Sequence, residues 1–239
     1  MSTALQKLRP TDSEETNAYY SRWKYVIPLP PDGLMWSTGG ATREVFVVLG
    51  DAWAQFVTHF TPPDATLLDI GCGCGRTARV LINNRWVTRY VGFDVVPDSI
   101  KWCNNFIKPT EHCAVEFHWA DLHSNEYNPQ GAIKASEFRF PVETKTVDVV
   151  FASSLFTHLL EPDCIHYINE VGRVLTSRGV AILSIHNVPA EGTRFSGTEL
   201  RIDIESEYFK ELAAQAGLEE VERVDDFGGQ QVFILRPKT

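Results

Sequence analysis

Apolar residues recur every three or four positions over residues 41–60, and Pro62 and Pro63 end that pattern. This period is typical of a helix that turns one side towards the core. Similar helical periods cover residues 75–84, 97–106 and 162–175. The pattern therefore predicts four helices up to residue 175.

Short apolar runs rich in β-branched residues lie between most of these helices, a composition typical of strands. They occupy residues 66–70, 90–93, 115–119, 147–151 and 180–185. Strands that alternate with helices favour a parallel sheet covered by helices on both faces. The predicted fold class is therefore α/β, doubly wound around a mostly parallel sheet.

The end of the chain has a different pattern. A helical period over residues 205–216 is followed by two strand-like runs, 218–224 and 230–235, which are joined through Gly228 and Gly229. Two runs joined in this way indicate a hairpin. Together with the five earlier runs, this predicts a seven-stranded sheet with an antiparallel C-terminal strand.

Residues 1–40 lie outside this alternation, and we expect a mobile N-terminus and an aromatic cap there, with residues 41–239 as one domain. The expected cap carries five large aromatic residues, Tyr19, Tyr20, Trp23, Tyr25 and Trp36. Such rings can close over an organic ligand and exclude water, or they can simply cover the helix over residues 41–60. The sequence favours neither interpretation over the other.

Composition narrows the classes of protein. The 239 residues are 44% hydrophobic and carry a formal net charge of −9, which disfavours nucleic acid and membrane surfaces as partners. A secretory signal pattern and a long apolar run are both missing, so the predicted location is the cytoplasm. The five cysteines have neither zinc nor redox spacing and are expected to be buried thiols.

The segment LLDIGCGCGR, residues 67–76, takes a predicted strand into a glycine-rich turn. Gly71 and Gly73 stand between that strand and the next predicted helix, where a doubly wound sheet binds nucleotide-like ligands against main-chain amides. Asp94 ends the second strand, where a carboxylate can bind both hydroxyls of a ribose. These three residues fit NAD as well as S-adenosylmethionine.

Two further acidic residues separate the alternatives. Asp69 precedes the glycines inside an apolar strand, where it would face a cationic amino-acid group. Asp121 follows the third strand, where it would accept from an adenine amino group. The dinucleotide fingerprint also requires a glycine where this chain has Arg76. The pattern therefore favours S-adenosylmethionine over NAD.

Five ordered motifs resemble those of class I S-adenosylmethionine-dependent methyltransferases, in particular bacterial members that act on small molecules. They are LLDIGCGCGR at 67–76, YVGFDVVPDSI at 90–100, WADL at 119–122, FRFPVETKTVDVVFASSLFTHLL at 138–160 and EVGRVLTSRGVAILS at 170–184. The resemblance implies a Rossmann-like sheet, S-adenosylmethionine as cofactor and S-adenosylhomocysteine as product. The cofactor-binding residues that it implies are Asp69, Gly71, Gly73, Asp94, Val95, Asp121, Leu122 and Ser153.

The resemblance also implies a role for each of these residues. Asp94 would bind the ribose hydroxyls and Asp121 the adenine amino group, with Val95 and Leu122 on the faces of the ring. Asp69 would act on the ammonium group, directly or through water. The main chain would approach the cofactor at the two glycines and at the end of the fourth strand.

His158, after the fourth strand, is the first candidate for a base that removes a hydroxyl proton, and His186, after the fifth, is the second. Each can instead be a structural or solvated histidine. The acid cluster of metal-dependent relatives is missing after both strands, so we expect no metal. The long segment 186–204 is expected to form another wall, where Arg194 would meet an acidic acceptor, or to be plain surface.

The predicted function is transfer of a methyl group from S-adenosylmethionine to a small-molecule acceptor, with a hydroxyl of a sugar or secondary metabolite as the expected group. An NAD-dependent oxidoreductase on a similar sheet is the first alternative. A regulatory protein that binds the cofactor without transferring methyl is the second. Nucleic-acid methylation is disfavoured, because no N-P-P-Y type motif follows the fourth strand. The sequence leaves the oligomeric state open.

Overall fold

A seven-stranded sheet forms the centre of the chain in the computed structural model, which describes residues 27–39, 42–83 and 86–238. Its strands lie in the order β3-β2-β1-β4-β5-β9-β8. The first five run parallel, and β9 is antiparallel to both of its neighbours. The strands are β1 (Ala65–Ile70), β2 (Val87–Asp94), β3 (Ala114–Trp119), β4 (Val147–Ala152), β5 (Leu175–Ile185), β8 (Leu218–Phe227) and β9 (Gln230–Pro237).

Six α-helices are found in the described part of the chain, and they cover both faces of the sheet. Leu67 and Tyr90 belong to the core beneath α2, α3 and α4, whereas their neighbours Leu68 and Val91 belong to the core beneath α5 and α6. Neighbouring residues of a strand point to opposite faces, so both faces of these strands are buried. The helices are α1 (Asp32–Ser37), α2 (Arg43–Phe60), α3 (Ala78–Leu81), α4 (Pro97–Phe106), α5 (Glu161–Val174) and α6 (Ser206–Gln215).

The register of the sheet places the carboxyl ends of neighbouring parallel strands side by side. Asp69 of β1 lies beside Gly92 of β2 and Phe151 of β4. The amides of Gly71 and Cys72 then donate to the Phe93 carbonyl, at 2.9 and 3.1 Å. The turn after β1 is thereby fixed against the end of β2, and the carboxyl ends of β1, β2 and β4 open on the same space.

Both predicted strand patterns are confirmed, the parallel series and the C-terminal hairpin. One prediction needs correction. The helical period over residues 75–84 corresponds to a helix of only Ala78–Leu81, because the glycine turn occupies the positions before it. The segment 186–204 also contains an antiparallel pair that the sequence did not predict, β6 (Phe195–Thr198) and β7 (Arg201–Ile204).

One aromatic residue of the expected N-terminal cap lies within the described part of the chain. Tyr19, Tyr20, Trp23 and Tyr25 lie outside the described residues, whereas Trp36 lies in α1, is exposed and borders the cavity described below. The division at residue 40 stays a prediction. Among the described helices, none has the length and apolar character needed to cross a membrane.

Candidate active site

A cavity of about 510 Å³ lies at the carboxyl ends of the parallel strands. Its size is within the range of small-molecule and cofactor sites. It is lined by nine of the ten residues predicted for the cofactor and for catalysis, namely Asp69, Gly71, Gly73, Asp94, Val95, Leu122, Ser153, His158 and His186. The structure therefore brings together residues that are widely separated in sequence.

Asp121 is the predicted residue that does not line this cavity. Its carboxylate accepts a hydrogen bond from the Asn128 side-chain amide at 3.3 Å, and its carbonyl accepts from Ile133 N at 3.0 Å. The chain around Asp121 is thus tied to the segment that follows β3. A contact with adenine stays a prediction for this residue.

Asp94 organises the turn that follows β1. Its two carboxylate oxygens accept hydrogen bonds from Gly73 N and Val96 N, each at 2.8 Å. Burial raises the pKa of Asp94, and these backbone hydrogen bonds act in the opposite direction. Each carboxylate oxygen can accept a second hydrogen bond, so Asp94 retains the capacity to bind a diol.

The glycines of the turn adopt the left-handed conformation, with φ of 71° at Gly71 and 53° at Gly73. A Cβ at Gly73 would lie 2.4 Å from Thr38 Cγ2, and one at Gly71 would lie 3.1 Å from Leu155 Cδ1. The sequence suggested that glycine here gives a ligand access to main chain. These contacts give a second reason for glycine at both positions. The absence of a side chain also leaves room for Thr38 and Leu155.

Asp69 is buried at the bottom of the cavity, where the Tyr90 hydroxyl donates a hydrogen bond to its carboxylate. Burial raises the pKa of Asp69 to about 7, and the nearby Asp94 adds to the rise, while the Tyr90 hydrogen bond and the Arg76 charge oppose it. A carboxyl group that is costly to ionise in the free protein gains from a cationic ligand. Such a ligand is the ammonium group expected from the sequence.

Arg76 also lines the cavity, and its place there was not predicted from the sequence. Its Nη1 donates to the Thr38 carbonyl at 2.8 Å, and its Nη2 donates to Ser153 Oγ at 3.4 Å. Arg76 thus joins the chain after α1 to the end of β4 across the glycine turn. Its place in the glycine motif was visible in the sequence, but these long-range partners had no sequence signal.

His158 has a defined orientation. Its Nδ1 lies 2.7 Å from the carbonyl oxygen of Glu199, and its Nε2 lies 3.5 Å from the hydroxyl of Tyr127. A carbonyl oxygen can only accept, so Nδ1 carries the hydrogen and Nε2 is left as an acceptor in the neutral ring. Tyr127 and Glu199 both line the cavity, and neither was identified from the sequence.

His186 approaches the same cavity from the end of β5. Burial and the charge of Arg201 lower its pKa, whereas Asp203 and a hydrogen bond with the Gly229 backbone act in the opposite direction. The ring is therefore favoured in its neutral form. A base role for His186 stays a prediction, as the second candidate after His158.

Arg194 lies away from this cavity, contrary to the expectation that it would meet an acidic acceptor. Its guanidinium pairs with Glu205 and Glu211 and covers the ring of Tyr208. In the described part of the cavity lining, Arg76 is the one Lys or Arg, against the carboxyl groups of Asp69, Asp94, Asp163 and Glu199. Across the described chain, no cluster of three metal-ligating side chains is found.

The residues present fit S-adenosylmethionine. Asp94 offers a hydroxyl-binding carboxylate, Asp69 a buried carboxyl group for an ammonium, and Val95 and Leu122 offer apolar surface in the same cavity. The excess of carboxyl groups over cations suits a ligand with positive charge. The donor set is thus matched to an adenosyl ligand that carries an amino-acid group.

Comparison with solved structures shows the same fold. The TehB-like S-adenosylmethionine-dependent methyltransferase from Corynebacterium glutamicum is 18% identical, with 94% of this chain and 98% of that chain covered and a TM-score of 0.56. The 1,6-didemethyltoxoflavin-N1-methyltransferase from Burkholderia thailandensis, solved with 1,6-didemethyltoxoflavin and S-adenosylhomocysteine, is 17% identical, with 97% and 93% covered and a TM-score of 0.58. A putative methyltransferase in complex with the Haloferax volcanii Trm112 activator is 15% identical, with 87% and 95% covered and a TM-score of 0.59.

A family model described as a methyltransferase domain matches residues 68–181. This match begins in β1, includes the glycine turn and ends in β5, so it contains the carboxyl ends of β1, β2 and β4, whereas the carboxyl end of β5 lies beyond it. The match favours methyl transfer over the oxidoreductase alternative. Residues 68–181 therefore match a methyltransferase domain, and the solved structures that share this fold include S-adenosylmethionine-dependent methyltransferases. The match and the neighbour with bound S-adenosylhomocysteine support S-adenosylmethionine as the cofactor.

Proposed function

We propose that this methyltransferase acts on a hydroxyl group of an uncharged small molecule, such as a sugar or a secondary metabolite, with His158 as the base. The observation that carries the proposal is the fixed tautomer of His158. Its Nδ1 donates to the Glu199 carbonyl, which leaves Nε2 able to accept a proton within the cavity. A hydroxyl acceptor needs such a base, because its proton must leave as the new bond forms.

The cofactor supplies a methyl group that is already activated on a sulfonium. The chain's part is to hold the acceptor close to that methyl and to receive the proton. Positioning of two reactants can lower a barrier by roughly 7–11 kcal/mol at best, and a well-placed base adds a factor of about 10²–10⁴. Asp69 and Asp94 serve the first task by holding the cofactor, and His158 serves the second.

The charge of the cavity supports an uncharged acceptor. Among the residues that the structure describes, four carboxyl groups line the cavity, and the one lining Lys or Arg, Arg76, already donates to Thr38 and Ser153. With Asp69 and Asp94 engaged by the cofactor, an anionic acceptor would still meet Asp163 and Glu199, and no described lysine or unengaged arginine of the cavity stands beside them. A polyhydroxyl compound meets no such penalty.

The test is a pair of histidine variants. Wild-type protein is first screened with methyl-tritiated S-adenosylmethionine against sugars and hydroxylated metabolites, and calorimetry with S-adenosylhomocysteine measures cofactor binding. His158→Gln should keep the affinity for S-adenosylhomocysteine and lose about 10²-fold or more in turnover. His166→Gln is the matched control, because the His166 ring also bonds a backbone carbonyl, that of Phe138, but lies outside the cavity.

Two outcomes would contradict the proposal. Full turnover by His158→Gln would exclude the base role. Tight binding of S-adenosylhomocysteine with no transfer to any hydroxylated compound would favour the regulatory alternative over hydroxyl methylation.

A further inference from the structure

Glu199, in the turn between β6 and β7, is bonded to two separate parts of the cavity wall. Its carbonyl oxygen accepts from His158 Nδ1, and its carboxylate accepts from Ser124 Oγ and Asn125 Nδ2, each at 2.7 Å. Burial raises the pKa of Glu199, but the hydrogen bonds from Ser124 and Asn125 outweigh burial and hold it below its ordinary value. The carboxylate is therefore ionised, and its bonds are charge-assisted.

The same carboxylate fixes the turn that carries Tyr127. Ser124 Oγ, which donates to Glu199, also accepts from Tyr127 N at 3.2 Å. The Tyr127 ring meets His158 edge to face, with 5.4 Å between ring centroids, and its hydroxyl lies 3.5 Å from Nε2. One residue thus sets the position of both members of a histidine–tyrosine pair.

The protonation states of the pair are complementary. Burial raises the pKa of Tyr127, and the charge of Glu126 adds to the rise, so the phenol keeps its proton. The phenol must then donate to Nε2, because the hydrogen of the neutral ring is on Nδ1. In this arrangement a lone pair of the Tyr127 oxygen stays available, and Tyr127 lines the cavity.

We propose that Tyr127 relays the acceptor's proton to His158, and that Glu199 is the positioning residue for both side chains. This inference rests on the proposed hydroxyl methylation. As the bond from the acceptor oxygen to the methyl carbon forms and the sulfonium S–C bond breaks, the acceptor proton moves to the Tyr127 oxygen, and the phenolic proton moves to His158 Nε2. The products are the methyl ether, the neutral thioether and an imidazolium, which passes its extra proton to water.

The first test is spectroscopic and does not depend on activity. The nitrogen resonances of ¹⁵N-labelled histidine are recorded on the complex with S-adenosylhomocysteine at about pH 8, above the ordinary histidine pKa of ~6.5. His158 is assigned from the spectrum of His158→Gln. We expect a protonated Nδ1 and an unprotonated Nε2, and we expect Tyr127→Phe to shift the Nε2 resonance by removing its donor.

The matched control is Tyr208→Phe. The Tyr208 hydroxyl also donates a hydrogen bond to another side chain, the carboxylate of Glu161, but Tyr208 lies outside the cavity. It should leave the His158 resonances and the turnover unchanged. Glu199→Gln should disturb the His158 Nδ1–H signal, whereas Glu205→Gln, at the other end of the same hairpin and paired with Arg194, should not.

The second test separates the relay from the proposed function. With a hydroxylated acceptor from the screen, Tyr127→Phe should lower kcat by about 10²-fold with little change in KM, because the ring that packs on His158 is kept. If His158→Gln is slow and Tyr127→Phe is not, the relay is overturned while the base role stands. A protonated Nε2 in the wild-type spectrum would overturn both the relay and the positioning role of Glu199.

Discussion

At the scale of single residues, Asp69 is the buried group through which the fold would meet the ammonium group of the cofactor in the proposed site. Its place in β1 is surrounded by apolar strand positions, so its carboxyl group is removed from water, and its pKa rises to about 7. Tyr90 of β2, which is paired with Leu67 in the sheet register, offsets part of this cost through its hydrogen bond to Asp69. The free protein therefore holds Asp69 partly protonated near neutral pH. A bound ammonium would shift the group towards its ionised form.

This state of Asp69 predicts a pH dependence of cofactor binding. Because a cationic ligand lowers the pKa of Asp69, binding releases a proton, and affinity should rise with pH up to about 7 and then level off. Calorimetry with S-adenosylhomocysteine across this range measures both the affinity and the proton release. Asp69→Asn should flatten the profile, while Asp98→Asn, at an exposed site at the start of α4, should not. An unchanged profile in Asp69→Asn would show that another group titrates.

At the scale of elements, α2 and α3 are joined by a buried ion pair. Arg79 Nη2 lies 2.5 Å from Asp51 Oδ1, with both side chains less than a tenth exposed, and it also donates to the Val47 carbonyl at 3.1 Å. Burial raises the pKa of Asp51, and the Arg79 charge opposes that rise. The pair holds α3 against α2 and so supports the chain that follows the glycine turn.

Removing one partner of this ion pair should lower the free energy of unfolding more than replacing both partners. Arg79→Met leaves the Asp51 carboxyl group buried without its cation, and the free energy of unfolding should fall by about 3–5 kcal/mol. In the double variant Asp51→Leu, Arg79→Met, both charges are replaced by apolar groups, and most of the loss should be recovered. Urea denaturation of the three proteins measures the difference. Equal losses in the single and double variants would argue against an ion-pair penalty.

The elements that the sequence predicted best are those buried on both sides. The strand runs at residues 66–70 and 147–151 match β1 and β4 closely, because a central parallel strand requires apolar residues on both faces. The β6 and β7 pair was missed, since two strands of four residues each are too short to give a periodic signal. The helix after the glycine turn was predicted too long, because apolar spacing does not reveal where a turn ends.

At the scale of the whole molecule, the cavity residues proposed to hold the cofactor could be predicted from sequence, whereas the cavity residues around His158 could not. Asp69 and Asp94 follow local rules of strand ends and glycine turns, so spacing alone finds them. Tyr127 and Glu199 are separated by a long stretch of chain, and they meet His158 only because the segment after β3 and the β6–β7 turn pack together. Contacts of this kind depend on tertiary packing rather than on any local pattern.

The overall charge of the protein and of its cavity leads to a prediction about the acceptor. The chain has a formal net charge of −9, and the carboxyl groups lining the cavity outnumber Arg76 four to one. An alcohol acceptor from the screen and its analogue with one CH₂OH oxidised to a carboxylate differ mainly in charge. Like charges at close range should cost the analogue at least ~1.4 kcal/mol, about tenfold in kcat/KM.

The preference for the uncharged acceptor over its carboxylate analogue should depend on the carboxyl groups that line the cavity. Asp163 lines the cavity, and burial raises its pKa while its hydrogen bonds with Ser136 oppose the rise. Asp163→Asn should reduce the difference in kcat/KM between the alcohol and its carboxylate analogue. Added salt should reduce this difference further, because salt screens such charges. The control Asp98→Asn should leave the difference unchanged. Equal or faster turnover of the carboxylate analogue by the wild-type enzyme would mean that acceptor choice is set by a cation outside this cavity lining, and the uncharged class would be wrong.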